Sequence, residues 1–257
     1  MFTKDEIENF IVFDLETVSG EKDLKTLEKK NKHMADVWRK RCDYLRRKHS
    51  DNASLSDEEI YEQKTGLQAE FGRISCISVA FVRYDKTSNI PTIKTVSYIG
   101  EEKDIIGKFF TFVLKVEKDL PGAIFAGHNI MNFDIPFLCK RAIINGFKIP
   151  KSLSTYGKKP WELTFVDTIK IWGFGSYSDS FTSLDILTTA LGIPTPKSDI
   201  DGSEVNKVFW IDNDSHRIAI YCEKDVAATL NVLIHLGGFE PVEESNIISV
   251  TKFAKTE

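Results

Sequence analysis

The spacing of apolar positions changes period along the chain, and each change marks an element. Residues 10–14, Phe-Ile-Val-Phe-Asp, read as a buried strand that runs on into Leu15, Glu16 and Thr17. Residues 73–84 (RISCISVAFVRY) and 92–99 (TIKTVSYI) are further strand-like runs rich in β-branched residues. The Asp85–Pro91 stretch between them has the composition of a hairpin loop. Ile105, Phe109, Val113 and Val116 then recur at helical spacing. A short apolar strand follows at 123–127, then a helix at 135–145 with Pro136 in its first turn. Residues 164–168 read as a last short strand. Ser183–Leu191 reads as a short helix with Leu184, Leu187 and Leu191 inward. Ser215–Leu236 reads as a long helix with Ile218, Cys222, Val232 and Leu236 on its apolar face, ended by Gly237-Gly238. The order is three strands, helix, strand, helix, strand, then helices. It predicts one α/β domain over residues 1–240, built on a mixed five-stranded sheet flanked by helices, with 241–257 as a C-terminal tail.

Residues 19–70 interrupt this plan between the first two strands. A structureless loop of that length is uncommon in a compact domain. Leu24, Leu27, Met34, Trp38 and Leu45 approximate one apolar stripe, and Ser56 with Glu59 forms a capping box for a second helix. The segment therefore reads as a helical insertion.

Composition adds a few exclusions. The chain has 257 residues, 42% hydrophobic and 28% charged, which is ordinary for a globular protein and rules out wholesale disorder. No run approaches the ~18 apolar residues of a membrane span. The N-terminus carries acids where a signal peptide needs a basic region, so a cytoplasmic location is expected. Cys42, Cys76, Cys139 and Cys222 are far apart and show no metal or redox spacing, so they read as reduced, mostly buried thiols. The net charge of −4 argues against a purely electrostatic nucleic-acid binder. It does not exclude an enzyme that keeps a knot of acids and local basic patches.

The candidate chemistry is acidic. Asp14 and Glu16, two apart on a strand, point to the same side; an acidic strand end meeting solvent is the alternative. Asp134 stands before Pro136 at a strand-to-helix junction, where it serves either as a helix cap or as a site residue, since open α/β sheets place their sites there. Tyr221 and Asp225 share one face of the last helix. Asp225 interrupts an apolar stripe, a costly position unless it is paired, for example with Lys224 or Lys170, or bound to metal.

The order Asp-x-Glu, Asn-x₃-Phe-Asp, Tyr-x₃-Asp resembles the DEDD superfamily of 3′–5′ exonucleases. FDLET is similar to its first motif, GHNIMNFDIPFL to its second and YCEKD to its third. The second motif resembles above all the proofreading domain of family-B DNA polymerases. Ala69-Glu70-Phe71-Gly72 and Lys197–Val205 resemble stand-alone bacterial relatives of that domain. Tyr221, four residues before Asp225, places the resemblance in the Tyr branch, and His216 lies too far from Asp225 to substitute. The resemblance spans about residues 8–236 and implies a ribonuclease-H-like fold.

It further implies two divalent ions, Mg²⁺ or Mn²⁺, which suit an all-oxygen donor set. Asp14 is then expected to bridge both, Glu16 and Asp225 to serve the ion bearing the attacking water, and Asp134 to hold the second through its hydration shell. Tyr221 is expected to orient the water. Single-stranded DNA 3′ ends are the expected substrate, hydrolysed to nucleoside 5′-monophosphates. RNA ends, or a non-catalytic nucleic-acid-binding module, are the alternatives. Asn129, Phe133 and Phe137 lie beside the second motif, where relatives line the groove for the 3′ end; a core role for both Phe residues is the alternative. Trp38, Arg46, Arg47 and Lys48 in the insertion have the composition of a nucleic-acid contact, or of a solvated face balanced by Asp43. Asp167 fits none of the ligand positions and is expected either to support the ligands from behind or to be structural.

Overall fold

In the computed structural model, which describes residues 2–159, 162–175, 181–194 and 199–252, a short helix α1 (Lys4–Glu8) leads into β1 (Phe10–Ser19). Three helices follow: α2 (Leu24–Lys30), α3 (Lys32–Lys48) and α4 (Asp57–Lys64). The chain then forms β2 (Gly72–Tyr84) and β3 (Pro91–Ile99), joined by the expected hairpin loop. Next come α5 (Glu102–Asp119), β4 (Ile124–Gly127), α6 (Asp134–Ile144), β5 (Val166–Asp167), α7 (Thr168–Trp172) and α8 (Leu184–Ala190). A single turn α9 (Val205–Lys207), the long α10 (Ser215–Leu236) and β6 (Ile247–Ser249) complete the order.

The six strands lie in the order β5-β4-β1-β2-β3-β6. β1, β2 and β3 are antiparallel, while β4 runs parallel to β1 and β5 parallel to β4. The first five strands make the ribonuclease-H-like arrangement. β6 is an addition, formed within the segment 241–257 expected to be a tail. It pairs parallel to β3 and so covers an otherwise open edge. Glu223 on α10 fastens this end: its buried carboxylate accepts from the hydroxyls of Thr95 (2.6 Å), Ser97 (2.9 Å) and Thr251. β5 is shorter than expected, because Asp167 ends it by capping α7, accepting from the Ile169 N–H at 3.0 Å.

Alternation along β1 divides the core. Ile11, Phe13 and Leu15 pack with Phe109, Phe125 and Leu138 on one face of the sheet. Phe10 and Val12 pack with Val226, Leu230 and Leu233 of α10 on the other. The same alternation carries Asp14 and Glu16 onto the α10 face, opposite Ser78 and Cys76 of β2. An irregularity in the pairing follows at once, between Glu16 and Thr17.

The insertion between β1 and β2 has its own core of Leu24, Trp38, Cys42, Leu45, Ile60 and Tyr61. The Ser56–Glu59 capping box opens α4. The turn after α4 lies directly on β1, with Thr17 Oγ1 donating to the Gly66 carbonyl at 2.7 Å. A Cβ at Gly66 would stand 3.2 Å from the Thr17 carbonyl oxygen, so close an approach favours glycine there.

Candidate active site

Asp14 and Glu16 project from β1 beneath α10, which brings Tyr221, Cys222 and Asp225 over them. Carboxylate oxygens of Asp14 and Glu16 and the Cys222 sulfur lie within 4.8 Å of one another. Asp134 arrives from the other side, at the first turn of α6, where its Oδ1 accepts from the Leu15 N–H at 3.0 Å. Leu15 lies between the two acids of β1, so this bond ties the second motif to the first. The Tyr221 hydroxyl lies beside the Asp225 carboxylate, one helical turn away on the same face of α10. The five residues expected to carry the chemistry thus converge on one place.

The strand-to-helix turn that delivers Asp134 is specified in detail. A Cβ at Gly127 would lie 2.8 Å from Ile130 Cβ and 3.0 Å from the Phe13 carbonyl oxygen. Asn129 adopts a left-handed backbone (φ 62°), a conformation Asn tolerates better than most residues, and its side-chain oxygen accepts from Asn132 Nδ2 at 3.0 Å. Asp167 holds the turn from outside: its two oxygens accept from the N–H groups of Asn129 (3.0 Å) and Met131 (3.1 Å). Asp167 therefore positions the turn rather than joining the acid cluster, as its spacing implied.

The electrostatics are those of crowded, buried acids. Burial, then the charges of Asp134 and Asp225, push Asp14 well above the usual carboxylate range. Glu16 is raised well above it by burial and then by Asp14. Burial lifts Asp134 to about 7 against the pull of the Leu15 N–H, and lifts Asp225 to about 6 against the neighbouring Tyr221 hydroxyl and the nearby Lys224. Burial and the Asp225 charge hold the Tyr221 hydroxyl far above its ordinary value, so it stays protonated.

The donor set fits a hard divalent cation. Glu16 is 8% exposed, and among the described residues its carboxylate accepts no hydrogen bond. A buried carboxylate without donors calls for a proton or a cation. Asp14, Glu16, Asp134 and Asp225 are the residues that would hold it. The Cys222 thiol is the soft intruder. Burial raises it, and it donates to Asp14 Oδ2 at 3.5 Å, so it acts as a protonated neighbour of Asp14 rather than a thiolate ligand.

Beside Glu16 opens a cavity of about 700 Å³. Its walls are Leu15–Val18 of β1, Phe133, the end of α4 with Lys64 and Leu67, and the 202–207 segment with Ser203 and Lys207. Asn206 fixes that last wall by accepting from Ser19 N–H and Oγ, both at 2.9 Å. Residues 197 and 198 of the Lys197–Val205 segment lie outside the described residues.

Of the expected substrate residues, Phe133 lines this cavity and Asn129 lies in the turn behind it. Phe137 is buried in the core, packed against Phe133 with ring centroids 5.5 Å apart, so it supports the wall rather than forming it. Trp38 is a correction. It is 0% exposed, edge-on to Tyr61 and Phe71, and forms the centre of the insertion core, where no base can reach it. Arg46 is a second correction: Asp57 (2.5 Å), Asp43 (3.2 Å) and the Leu55 carbonyl (3.0 Å) take its guanidinium. Arg47 and Lys48 are exposed, and neither lines the cavity. The cations that do, Lys64 and Lys207, are single lysines among mixed residues, a signal too weak to single out before folding.

A family model described as "Predicted 3'-5' exonuclease related to the exonuclease domain of PolB" matches residues 65–246. The chain belongs to this family of predicted 3′–5′ exonucleases. The matched segment contains Asp134, Tyr221 and Asp225, while Asp14 and Glu16 precede it. No curated protein matches the chain. Among similar solved structures is the family B DNA polymerase from the hyperthermophilic archaeon Pyrobaculum calidifontis, 16% identical with a TM-score of 0.46. The match covers 88% of this chain and 24% of the polymerase, so the chain spans about a quarter of that protein's length. Among the described residues no helix is long and apolar enough to cross a membrane.

Proposed function

We propose that the chain is a metal-dependent 3′–5′ exonuclease that hydrolyses single-stranded DNA ends to nucleoside 5′-monophosphates. The supporting observation is the convergence of Asp14, Glu16, Asp134 and the Tyr221–Asp225 pair beside a cavity large enough for a terminal nucleotide. Two Mg²⁺ or Mn²⁺ ions, when bound, would supply an activated water and charge stabilisation for the leaving 3′-oxygen. The chain's own residues do the rest. Asp134, held by the Leu15 N–H, keeps the second motif in register with the first. Tyr221 keeps its proton and orients the attacking water as a hydrogen-bonding partner, not as a base. Phe133 offers an apolar surface to the terminal base. Water attacks the last phosphodiester in line, the bond to the 3′-oxygen breaks, and that oxygen takes up a proton. We place this activity in the cytoplasm, consistent with four free cysteines.

The test uses matched DNA and RNA single strands labelled at the 5′ end. Mg²⁺- or Mn²⁺-dependent shortening of the DNA from its 3′ end is expected, and chelation should stop it. Faster loss of the RNA would assign the activity to RNA ends. No shortening of either, with binding retained, would make the chain a binding module.

A further inference from the structure

Resting on the nuclease reading, the geometry points to a second nucleic-acid subsite, on the insertion, that carries the strand upstream of the 3′ end. The cavity beside Glu16 does not end at α4. A second cavity of about 330 Å³ opens behind it, and Lys64 and Leu67 line both. Leu67 is 61% exposed, an apolar ridge between the two. The second cavity is walled by Arg41, Leu45 and His49 of the α3 side and by Gln68, with Asn52 and Asp51 at its end. Most of this wall precedes residue 65, outside the segment that the family model matches.

Among the described residues the cations along the two cavities make no ion pair with a carboxylate, whereas the neighbouring ones do. Arg39 is paired with Glu28 and Asp36, and Arg46 with Asp43 and Asp57. Arg41 instead donates to the neutral Gln68 Oε1 at 2.8 Å, and among the described residues Lys64 and Lys207 have no carboxylate within 4.0 Å. Arg41 also lies over the Tyr44 ring, 4.7 Å from its centroid, with Lys48 Nζ 5.8 Å from the same ring. Tyr44 is 41% exposed. Tyr44 adjoins Leu45 of the second cavity's wall without lining that cavity, and with the Arg41 guanidinium over its ring it offers a stacked cationic–aromatic surface to a base and its phosphate. Glu62 and Asp51 also face the path, so its charge is mixed, and the cations at its two ends are what an extended polyanion would meet. The strand is assigned a course from Glu16, over Leu67, to Arg41 and Tyr44. Arg47 is turned about 120° from Arg41 and about 60° from Tyr44 on the same helix; it lines neither cavity and is assigned no part.

The test compares hydrolysis of a dinucleotide with that of a long single strand (~20 nucleotides) by wild type, Tyr44→Ala, Arg41→Gln and Arg47→Gln. Tyr44→Ala and Arg41→Gln should each lower the ratio of long-strand to dinucleotide kcat/KM by about tenfold. Arg41→Gln should also flatten the salt dependence of long-strand binding by about 0.7 in log–log slope. Arg47→Gln should leave the ratio where it is. Tyr44 is exposed and serves as the variant free of folding effects, with thermal melting as the check. If wild type degrades both substrates and neither Tyr44→Ala nor Arg41→Gln changes the ratio, or Arg47→Gln changes it as much, the subsite is overturned while the nuclease reading stands. If wild type degrades neither substrate, the nuclease reading falls and the subsite with it.

Discussion

The N–H of Leu15 donates to Asp134 Oδ1 across 119 residues of sequence, at 3.0 Å and out of solvent. Because Leu15 separates Asp14 from Glu16, one hydrogen bond sets the distance between the acids of β1 and the acid of α6. Asp134 therefore has two separable tasks, as a charge and as a hydrogen-bond acceptor.

Asp134→Asn keeps an acceptor oxygen for Leu15 and removes the charge. At neutral pH it should be at least as stable as chelated wild type and lose at least about 10²-fold in turnover. Asp134→Ala also strands a buried N–H and should cost about 1–3 kcal/mol in denaturant unfolding. Equal stability of the two variants would show that the bond is not structural.

Tyr221→Phe removes only the hydroxyl beside Asp225. The chemical step should slow by about 10²-fold, the lower end for a positioned group, since Tyr221 is no base. Metal affinity and oligonucleotide affinity should stay near wild type. A parallel fall in rate and metal affinity would make Tyr221 a structural residue.

The raised acids make a pH prediction whose sign is unusual for carboxylates. In the folded, metal-free protein Asp225 and Asp134 hold protons up to about 6 and about 7, against 3.8 for an unperturbed Asp. Between those values the native state binds more protons than the unfolded state, so stability falls as pH rises through the window. Chelated wild type should lose melting temperature relative to Asp134→Asn between about pH 4 and about pH 7. Mg²⁺ or Mn²⁺ should restore most at the upper end, where the cation replaces the missing protons. A wild type that gains on the variant as pH rises would contradict the buried-acid assignment.

Trp38 separates a core role from a binding role. Trp38→Ala should destabilise the protein by about 3–5 kcal/mol, the usual cost of emptying a buried aromatic site. Where the variant stays folded, its dinucleotide hydrolysis should persist. Weakened oligonucleotide binding with unchanged stability would return Trp38 to the surface.

The acids were legible before folding because each sits at a break in an apolar pattern: Asp14 and Glu16 at the end of β1, Asp225 inside the stripe of α10. Their order along the chain did the rest. Trp38 was misread because one stripe on α3 serves two readings, and only the packing of Tyr61 and Phe71 against it decides between them. Cys222 belongs to the apolar face of α10 by periodicity, and nothing in its spacing announces Asp14 as its neighbour. β6 is three residues long, too short for any period to register. The spacing of Asp167 shows only that it is no ligand; its partners, the N–H groups of Asn129 and Met131, belong to a turn about forty residues earlier.

The most direct measurement is a Mn²⁺ titration of the purified protein by calorimetry or electron paramagnetic resonance, run beside Asp14→Asn. Wild type should bind two ions, and the variant, whose circular dichroism should match wild type, should lose at least one of them. Identical Mn²⁺ stoichiometry and affinity in wild type and Asp14→Asn would contradict a metal site on these carboxylates.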